Sequence, residues 1–491
     1  MKSILKKISP LALAVLMLTS CEKEYLETAP TADVSIETVF QTTEGALVAL
    51  NGTIRSMWTS MAGSHGHFGQ KSYDLTMDLM GNDMVIHTQG YSWFTTEYNL
   101  TAQASAANNS RSDVAWEYYY RTINNANRII AGLETASGTE EEKEYIRGNA
   151  LALRAYSYFY LINLWQHTYV GNENAPGVPI YTEPTTEGKP RATVQEVYAQ
   201  IISDLDAAEA MLEGQDRLHT SHVNTNVVQG IRARVALQME DWTTAAAKAN
   251  QARQGFGLMS AEEFQAGFGV DTEEWIWGLE IPNDQSTIFA SFFSHFDASR
   301  LSYASLGLQK KITKELYDMI PEGDVRKTTF VTPGTGTGSG ASVDYNQKKF
   351  YLPVAGSWAA DYVLMRAAEM YLIEAEALAR LGQNAEAQAV LNELLEARVV
   401  EGFEPVAATG QELINEILLQ RRIELWGEGF SLLDLKRLNQ DLNRPSGAGN
   451  HDAALAQVFQ REIDAPEFLF RIPQAEIDAN DALTVADQNP E

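Results

Sequence analysis

The acids with the clearest catalytic spacing in this 491-residue chain are Glu424 and Glu428, four apart in "QRRIELWGEGF". On a helix that spacing puts both carboxylates on one face, and a glycosidase needs two carboxylates about 5 to 10 Å apart. The same stretch holds Arg421 and Arg422 among apolar residues, and a helix packed on its neighbours pairs such acids with bases. The structural reading therefore outweighs the catalytic one. Arg154 and Glu369, each embedded in an apolar helix, read the same way. His219 and His222 in "HTSH" are close enough to share a metal, but no third ligand or glutamate stands beside them as a catalytic zinc site requires. His65 and His67 lie in a glycine-rich loop and read as solvated or hydrogen-bonded. Asp78 and Asp83 flank Asn82 and offer oxygens to calcium, but so short an acidic loop is weak grounds for a site. No Gly-x-Ser-x-Gly elbow, His-Glu-x-x-His or EF-hand loop occurs. No catalytic residue, metal site or cofactor is assigned.

Recognition fits the residues better. Pyranose rings have apolar faces that flat aromatic side chains cover, while carboxylates, amides and guanidinium groups take the hydroxyls. The stretch "YDLTMDLMGNDMVIHTQGYSWFTTEY" supplies Tyr73, Asp78, Asn82, Asp83, Tyr91, Trp93, Phe94 and Tyr98. A second concentration holds Trp275, Trp277, Phe292, Phe293 and His295, with Trp358 farther on. From these, Tyr73, Asp83, Trp93, Tyr98, Trp277 and Phe293 are the candidate ligand contacts. Only some are expected to touch ligand, because "WIWGLEI" alternates as a buried strand does.

The elements that must position these residues are mainly helical. Ala46, Leu50, Ile54 and Trp58 recur every four residues after a Thr-Thr cap region, an amphipathic stripe. Helical period returns over 116–133 and 141–165, and "LALRAYSYFYLINLW" is apolar nearly all round, so that helix is expected to be buried. Residues 227–253 and 362–398 share one plan: an Ala-rich helix, a short polar turn (Glu240-Asp241, Gly382-Gln383) and a second Ala-rich helix. Small residues at close contacts and a length near 34 resemble tetratricopeptide units. Three regions depart from the stack: 60–112, 256–360 and 439–491. Loops on a rigid scaffold commonly carry recognition. The run "TPGTGTGSGAS" (332–342) lacks the Gly-Lys-Ser/Thr ending of a phosphate cradle and reads as a mobile surface loop.

The single cysteine, Cys21, excludes an intramolecular disulfide or a multi-cysteine cluster. Before it stand "MKSILKK", an apolar run from Ile8 to Leu18, and Thr19-Ser20. This is the pattern of an export signal over 1–20, too short to span a bilayer. With Leu18-Thr19-Ser20 ahead of Cys21 it resembles a bacterial lipobox, which implies acylation of Cys21 and anchorage through lipid. "EKEYLETAPTAD" then reads as a flexible tether, and its acidity resembles that of lipoproteins displayed on the outer face of the outer membrane. The formal net charge is -28, and loss of the signal's three lysines takes the mature chain to -31. Such a surface repels nucleic acid and anionic head groups. The mature part, 21–491, reads as a single globular domain with insertions at about 60–112 and 256–360.

"RTINNANRIIAGL", "IRGNALALRAYSYFYLINLW" running to "APGVPI", "DYVLMRAAEMYLIEAEALARLG", "RRIELWGEGFSLLDLKRL" and "FLFRIPQAEIDANDAL...ADQNP" together resemble, in order, the signatures of the SusD/RagB lipoproteins. Departures are Gln420-Arg421-Arg422 where Glu-Arg-Arg is usual, Leu438 where an aromatic often stands, and "APGVPI" in place of "GDVPL". The resemblance implies a SusD-like, mainly α fold: a tetratricopeptide-like helical-repeat scaffold with an irregular, loop-rich ligand-binding face. It implies a non-catalytic, surface-anchored binder of glycan, or in some members peptide. Such a protein acts as a lid that delivers nutrient to a SusC-like TonB-dependent transporter.

Overall fold

The computed structural model describes residues 36–490, apart from 270, 298, 300–309, 337–342 and 355. Cys21, its signal, the tether and part of the glycine-rich loop lie outside the described residues. Eleven helices matter for the argument: α1 Thr43–Arg55, α2 Gln70–Leu79, α3 Arg111–Leu133, α4 Glu140–Trp165, α5 Val194–Leu212, α6 Thr225–Gln238, α7 Trp242–Ala252, α8 Ala367–Arg380, α9 Asn384–Arg398, α10 Gly410–Glu424 and α11 Ser431–Arg437. Their starts are chemically marked. Thr139 with Glu142, and Thr193 with Glu196, form capping boxes at α4 and α5, satisfying amide N–H groups that a helix start leaves open. Thr42 caps α1, whose Ala46, Leu50 and Ile54 face inward as the stripe requires. Trp58 falls beyond the end of α1 and is half-buried.

The helices pack in sequence: α3 on α4, α4 on α5, α5 on α6, α6 on α7, α8 on α9. After the long excursion of 256–360 the chain returns so that α8 packs against α7. This is a stack of helical hairpins of the tetratricopeptide kind, and both expected units are present. Close approach depends on small side chains. In α7, Ala245, Ala246, Ala249 and Ala252 are the buried positions, and a Cβ on Gly148 of α4 would meet Leu212 Cγ of α5 at 2.8 Å. As expected, α4 is buried on every side from Gly148 to Trp165. Among the described residues no helix is long and apolar enough to cross a membrane.

Among the described residues the strands form three two-stranded antiparallel sheets. β1 (Met84–Ile86) pairs with β3 (Lys310–Ile312), joining the first irregular region to the second. β2 (Trp275–Leu279) pairs with β4 (Tyr362–Arg366), and β5 (Leu442–Asn443) with β6 (Gln460–Arg461). Two sequence expectations change here. Residues 362–366 are a strand, because their apolar side chains complete a sheet with β2 before the helix begins. Within 60–112, residues 70–79 form the fully buried helix α2.

The excursion, the strands and the last helices meet at one buried ionic cluster. Arg366, ending β4, donates to Glu274 (2.7 Å), Glu424 (2.5 Å) and Glu428 (2.7 Å). Arg398 at the end of α9 joins Glu274 (2.7 Å) and Glu424 (3.1 Å). Arg326, paired with Asp324, reaches Glu424 at 3.3 Å, and Lys349 reaches Glu428 at 2.6 Å. Four cations thus face four carboxylates, all of them buried. Burial alone pushes the Glu424 carboxyl up, but Arg398, Arg366 and Arg326 overcome it and hold the group well below the usual carboxylate range. Glu428 is likewise held down at about 2 by Arg366 and Lys349 against its burial. The bases come from other elements, not from the adjacent arginines: Arg421 pairs with Asp434, and Arg422 with Asp83. Arg366→Met leaves three buried carboxylates short of a partner and is expected to cost about 3 to 5 kcal/mol. Arg422→Ala, removing a half-exposed pair, costs about 1 kcal/mol or less. Urea unfolding midpoints of the two variants check the contrast.

Candidate functional site

The structure scatters most of the candidate contacts. Tyr73 on α2 is buried between Tyr118 and Tyr119, each ring 5.3 Å away. Tyr98 is buried, its hydroxyl 2.5 Å from His451 Nδ1 and its ring under Arg444. Trp277, inside β2, donates Nε1–H to the Ser221 carbonyl at 3.0 Å and packs on Tyr156. Phe293 lies in the buried turn Phe292–Phe296 against Tyr362. These four present no face to a ligand, and their expected contact is corrected: packing between helices and loops absorbs them. Asp83 holds Arg422 through both oxygens, at 2.7 and 2.9 Å. Asp78 accepts from the backbone N–H groups of Gly429 and Ser431, so its oxygens serve the turn after α10. His222 sits between the Tyr145 hydroxyl and Asn51, and His219 beside Glu280. Arg154 pairs with Asp204, and Glu369 with Arg234, as structural members.

Trp93 remains at the surface, and it has company. Its ring lies 5.6 Å from His65, which stacks at 5.6 Å on Phe289. Phe289 is 48% exposed and Tyr91, two residues before Trp93, is 56% exposed. The patch joins three segments. Residues 60–67 fold into a turn closed by Met61 N–H on the His67 carbonyl. Residues 89–95 turn sharply, with Gly90, Ser92 and Phe94 at φ of 46°, 64° and 63°. For Ser92 and Phe94 that conformation costs about 1 kcal/mol or more each and persists only where the surroundings enforce it. The Phe289 segment is held by Phe289 N–H on Thr287 and by Ser294 Oγ–H on the Phe289 carbonyl. Phe289 was not singled out from the sequence; the apolar period of 292, 293 and 296 with Ser291 as cap leaves it outside the buried turn, which is the signal that could have found it.

A rigid layer lies beneath. Arg111, at the start of α3, donates to Glu97 (2.6 Å), to the Gly66 carbonyl (2.7 Å) and to His67 Nδ1 (2.9 Å), and covers the Phe94 ring. His295 Nε2–H donates to the His65 carbonyl at 2.6 Å, tying the Phe289 side to the first loop. Burial and the Arg111 charge push the His67 pKa down to about 2, and burial with Lys310 pushes His295 well below its ordinary value. Both rings are therefore neutral. The arrangement stacks and hydrogen-bonds; its carboxylate, Glu97, is already spent on Arg111.

Comparison with known proteins agrees with this architecture. Residues 24–237 match the family described as "Starch-binding associating with outer membrane", and residues 331–491 match the "SusD family". A SusD-like carbohydrate binding protein from Bacteroides vulgatus is 29% identical, with a TM-score of 0.78 over 92% of this chain and 98% of its own. The chain belongs to the SusD/RagB family. A SusD superfamily protein from Bacteroides thetaiotaomicron is 26% identical, with a TM-score of 0.78 over 92% of this chain and all of its own. A SusD-like protein of Formosa agariphila is 24% identical over 528 residues, spanning 93% of this chain and 96% of the relative.

One departure of this SusD/RagB chain has a physical substitute. Gln420, where the family often has glutamate, accepts from Arg326 at 2.6 Å through its amide oxygen. The layer under the patch also holds Lys310, whose ammonium donates to the His295 carbonyl at 2.6 Å and meets no carboxylate among the described residues. Burial pushes its pKa down from 10.5 to about 7. A lysine whose folded pKa is depressed is a cost at low pH that is relieved as pH rises from the folded value to the unfolded one. The stability advantage of Lys310→Met over the native chain should therefore be largest below pH 7 and shrink between pH 7 and 10. Urea titrations across that range read the difference directly.

Proposed function

We propose that this chain is a non-catalytic surface receptor for an oligosaccharide nutrient, bound at the Tyr91, Trp93, His65 and Phe289 patch. The observation that carries the reading is that aromatic set, with Tyr91 and Phe289 exposed and Trp93 and His65 half-buried, spread over three loops and fixed from below by Arg111 and His295. Aromatic faces at a rigid surface suit the apolar faces of sugars, and the Bacteroides vulgatus relative is described as carbohydrate binding. Acylation at Cys21 anchors the protein to the outer face of the outer membrane. From there it serves as a lid that passes ligand to a SusC-like TonB-dependent transporter. Burial and full pairing of Glu424 and Glu428 speak against the glycosidase alternative, because those carboxylates have no cleft.

Calorimetric titration with a panel of oligosaccharides and peptides, each mixture also checked for cleavage products, tests the reading. Trp93→Ala and Phe289→Ala are each expected to weaken the binding glycan roughly tenfold, the loss of one stacking partner, without any product forming. Cleavage abolished by Glu424→Gln would overturn the receptor reading. Saturable binding of peptides alone would move the ligand class from glycan to peptide.

A further inference from the structure

A second cleft, of about 730 Å³, opens on the opposite stretch of α3. Trp116, Tyr120, Asn124 and Arg128 recur every four residues, so one helix face lines it along its length. Asn124 lies 13 residues beyond Arg111, which sits under the Trp93 patch; at 1.5 Å per residue that is about 20 Å. The two sites share no lining residue.

The aromatic end is built and fixed. Trp116 and Tyr120 lie 4.6 Å apart, and Tyr181 from the facing loop meets Tyr120 edge-on at 5.8 Å. Trp116 Nε1–H donates to Glu476, and the Tyr120 hydroxyl to the Pro179 carbonyl. The facing loop is pinned through its backbone: Asn127 donates to the carbonyls of Tyr181 and Glu183, and Arg154 to that of Thr182. The polar end is unspent. The side chains of Asn124 and Arg128 make no hydrogen bond or ion pair among the described residues, and Arg128 Nε is buried without an acceptor. The terminal N–H groups of the same guanidinium are not enclosed, and a ligand oxygen reaching them gains a charge-assisted hydrogen bond.

Charge selects the class of ligand. Besides Arg128, the cleft is lined by Glu183, Glu187 and Glu476, which makes it net negative and hostile to a polyanion. Hydroxyls suit it better, since each both donates to a carboxylate and accepts from Arg128 or Asn124. We propose that this cleft is a second carbohydrate site, which stacks a neutral sugar on the half-buried rings of Tyr120 and Tyr181, backed by the buried Trp116, and takes its hydroxyls with Asn124 and Arg128. The proposal stands independently of the Trp93 patch.

The test uses the Trp93→Ala chain, titrated with neutral oligosaccharides of glucose, xylose, mannose and galactose, and with an oligo-galacturonate. The readouts are calorimetry and the indole N–H resonance of Trp116. At least one neutral sugar should bind, shift that resonance, and lose roughly tenfold in affinity when Asn124→Ala and Arg128→Ala are added. Neither substitution removes a bond the fold uses, and Asn124→Ala alone gives a milder second variant that should weaken binding in the same direction. The proposal is overturned if no neutral sugar moves the Trp116 resonance, if affinity ignores both substitutions, or if the galacturonate binds more tightly. Sugar binding lost wholly with Trp93→Ala would support the first site and sink this one.

Discussion

The long excursion of 256–360 is held to the helical stack by the buried cluster centred on Arg366. That arginine closes β4, the strand that ends the long excursion, and its guanidinium is shared among Glu274 before β2, Glu424 at the end of α10 and Glu428 in the turn beyond. Of the three only Glu274 belongs to the excursion, so its pairing with Arg366 ties the start of β2 to the elements that carry Glu424 and Glu428. Desolvating so many charges gains little net stability compared with an apolar core, and the cost of breaking the set is what makes it specific. The cluster therefore acts as a register device for the fold. It fixes where 256–360 leaves and rejoins the stack, and hence where Phe289 stands relative to Trp93.

The same logic recurs one layer out with fewer charges. Arg111 comes from the rigid start of α3 and spends its donors on Glu97, the Gly66 carbonyl and His67, each in or beside a loop of the patch. His295 carries the connection to the other side, and the β1–β3 pair joins the two irregular regions through their backbones. Loops that would otherwise sample many conformations are held before any ligand arrives. Preorganisation of this kind lowers the ordering cost that binding must meet.

The helical stack was legible in the sequence because its signals are local. Four-residue periodicity, Thr-x-x-Glu caps and alanine-rich faces each act within one or two turns, and α1, α3, α4 and the two later hairpins follow them. The strand at 362–366 was not, because its apolar run continues without a break into α8 and only pairing with β2 separates them. The site was legible as a composition and not as a surface. Tyr73, Trp93 and Tyr98 stand in one stretch with the same residue types, yet Tyr73 faces the core because 70–79 is a helix, and Tyr98 faces His451, more than 350 residues away in the chain. Such choices are made by tertiary partners that no window of sequence contains.

That distinction also bears on what a surface of this kind can do. Beneath it, burial holds the pKa values of His67 and His295 below the ordinary value, and Glu97 is paired with Arg111. The energy available at the patch is stacking on rings whose positions are already set. Affinity from stacking is modest for each ring and grows with the number of sugar units engaged. On loops already held in place, each further ring contacted adds binding without a further ordering cost in the protein.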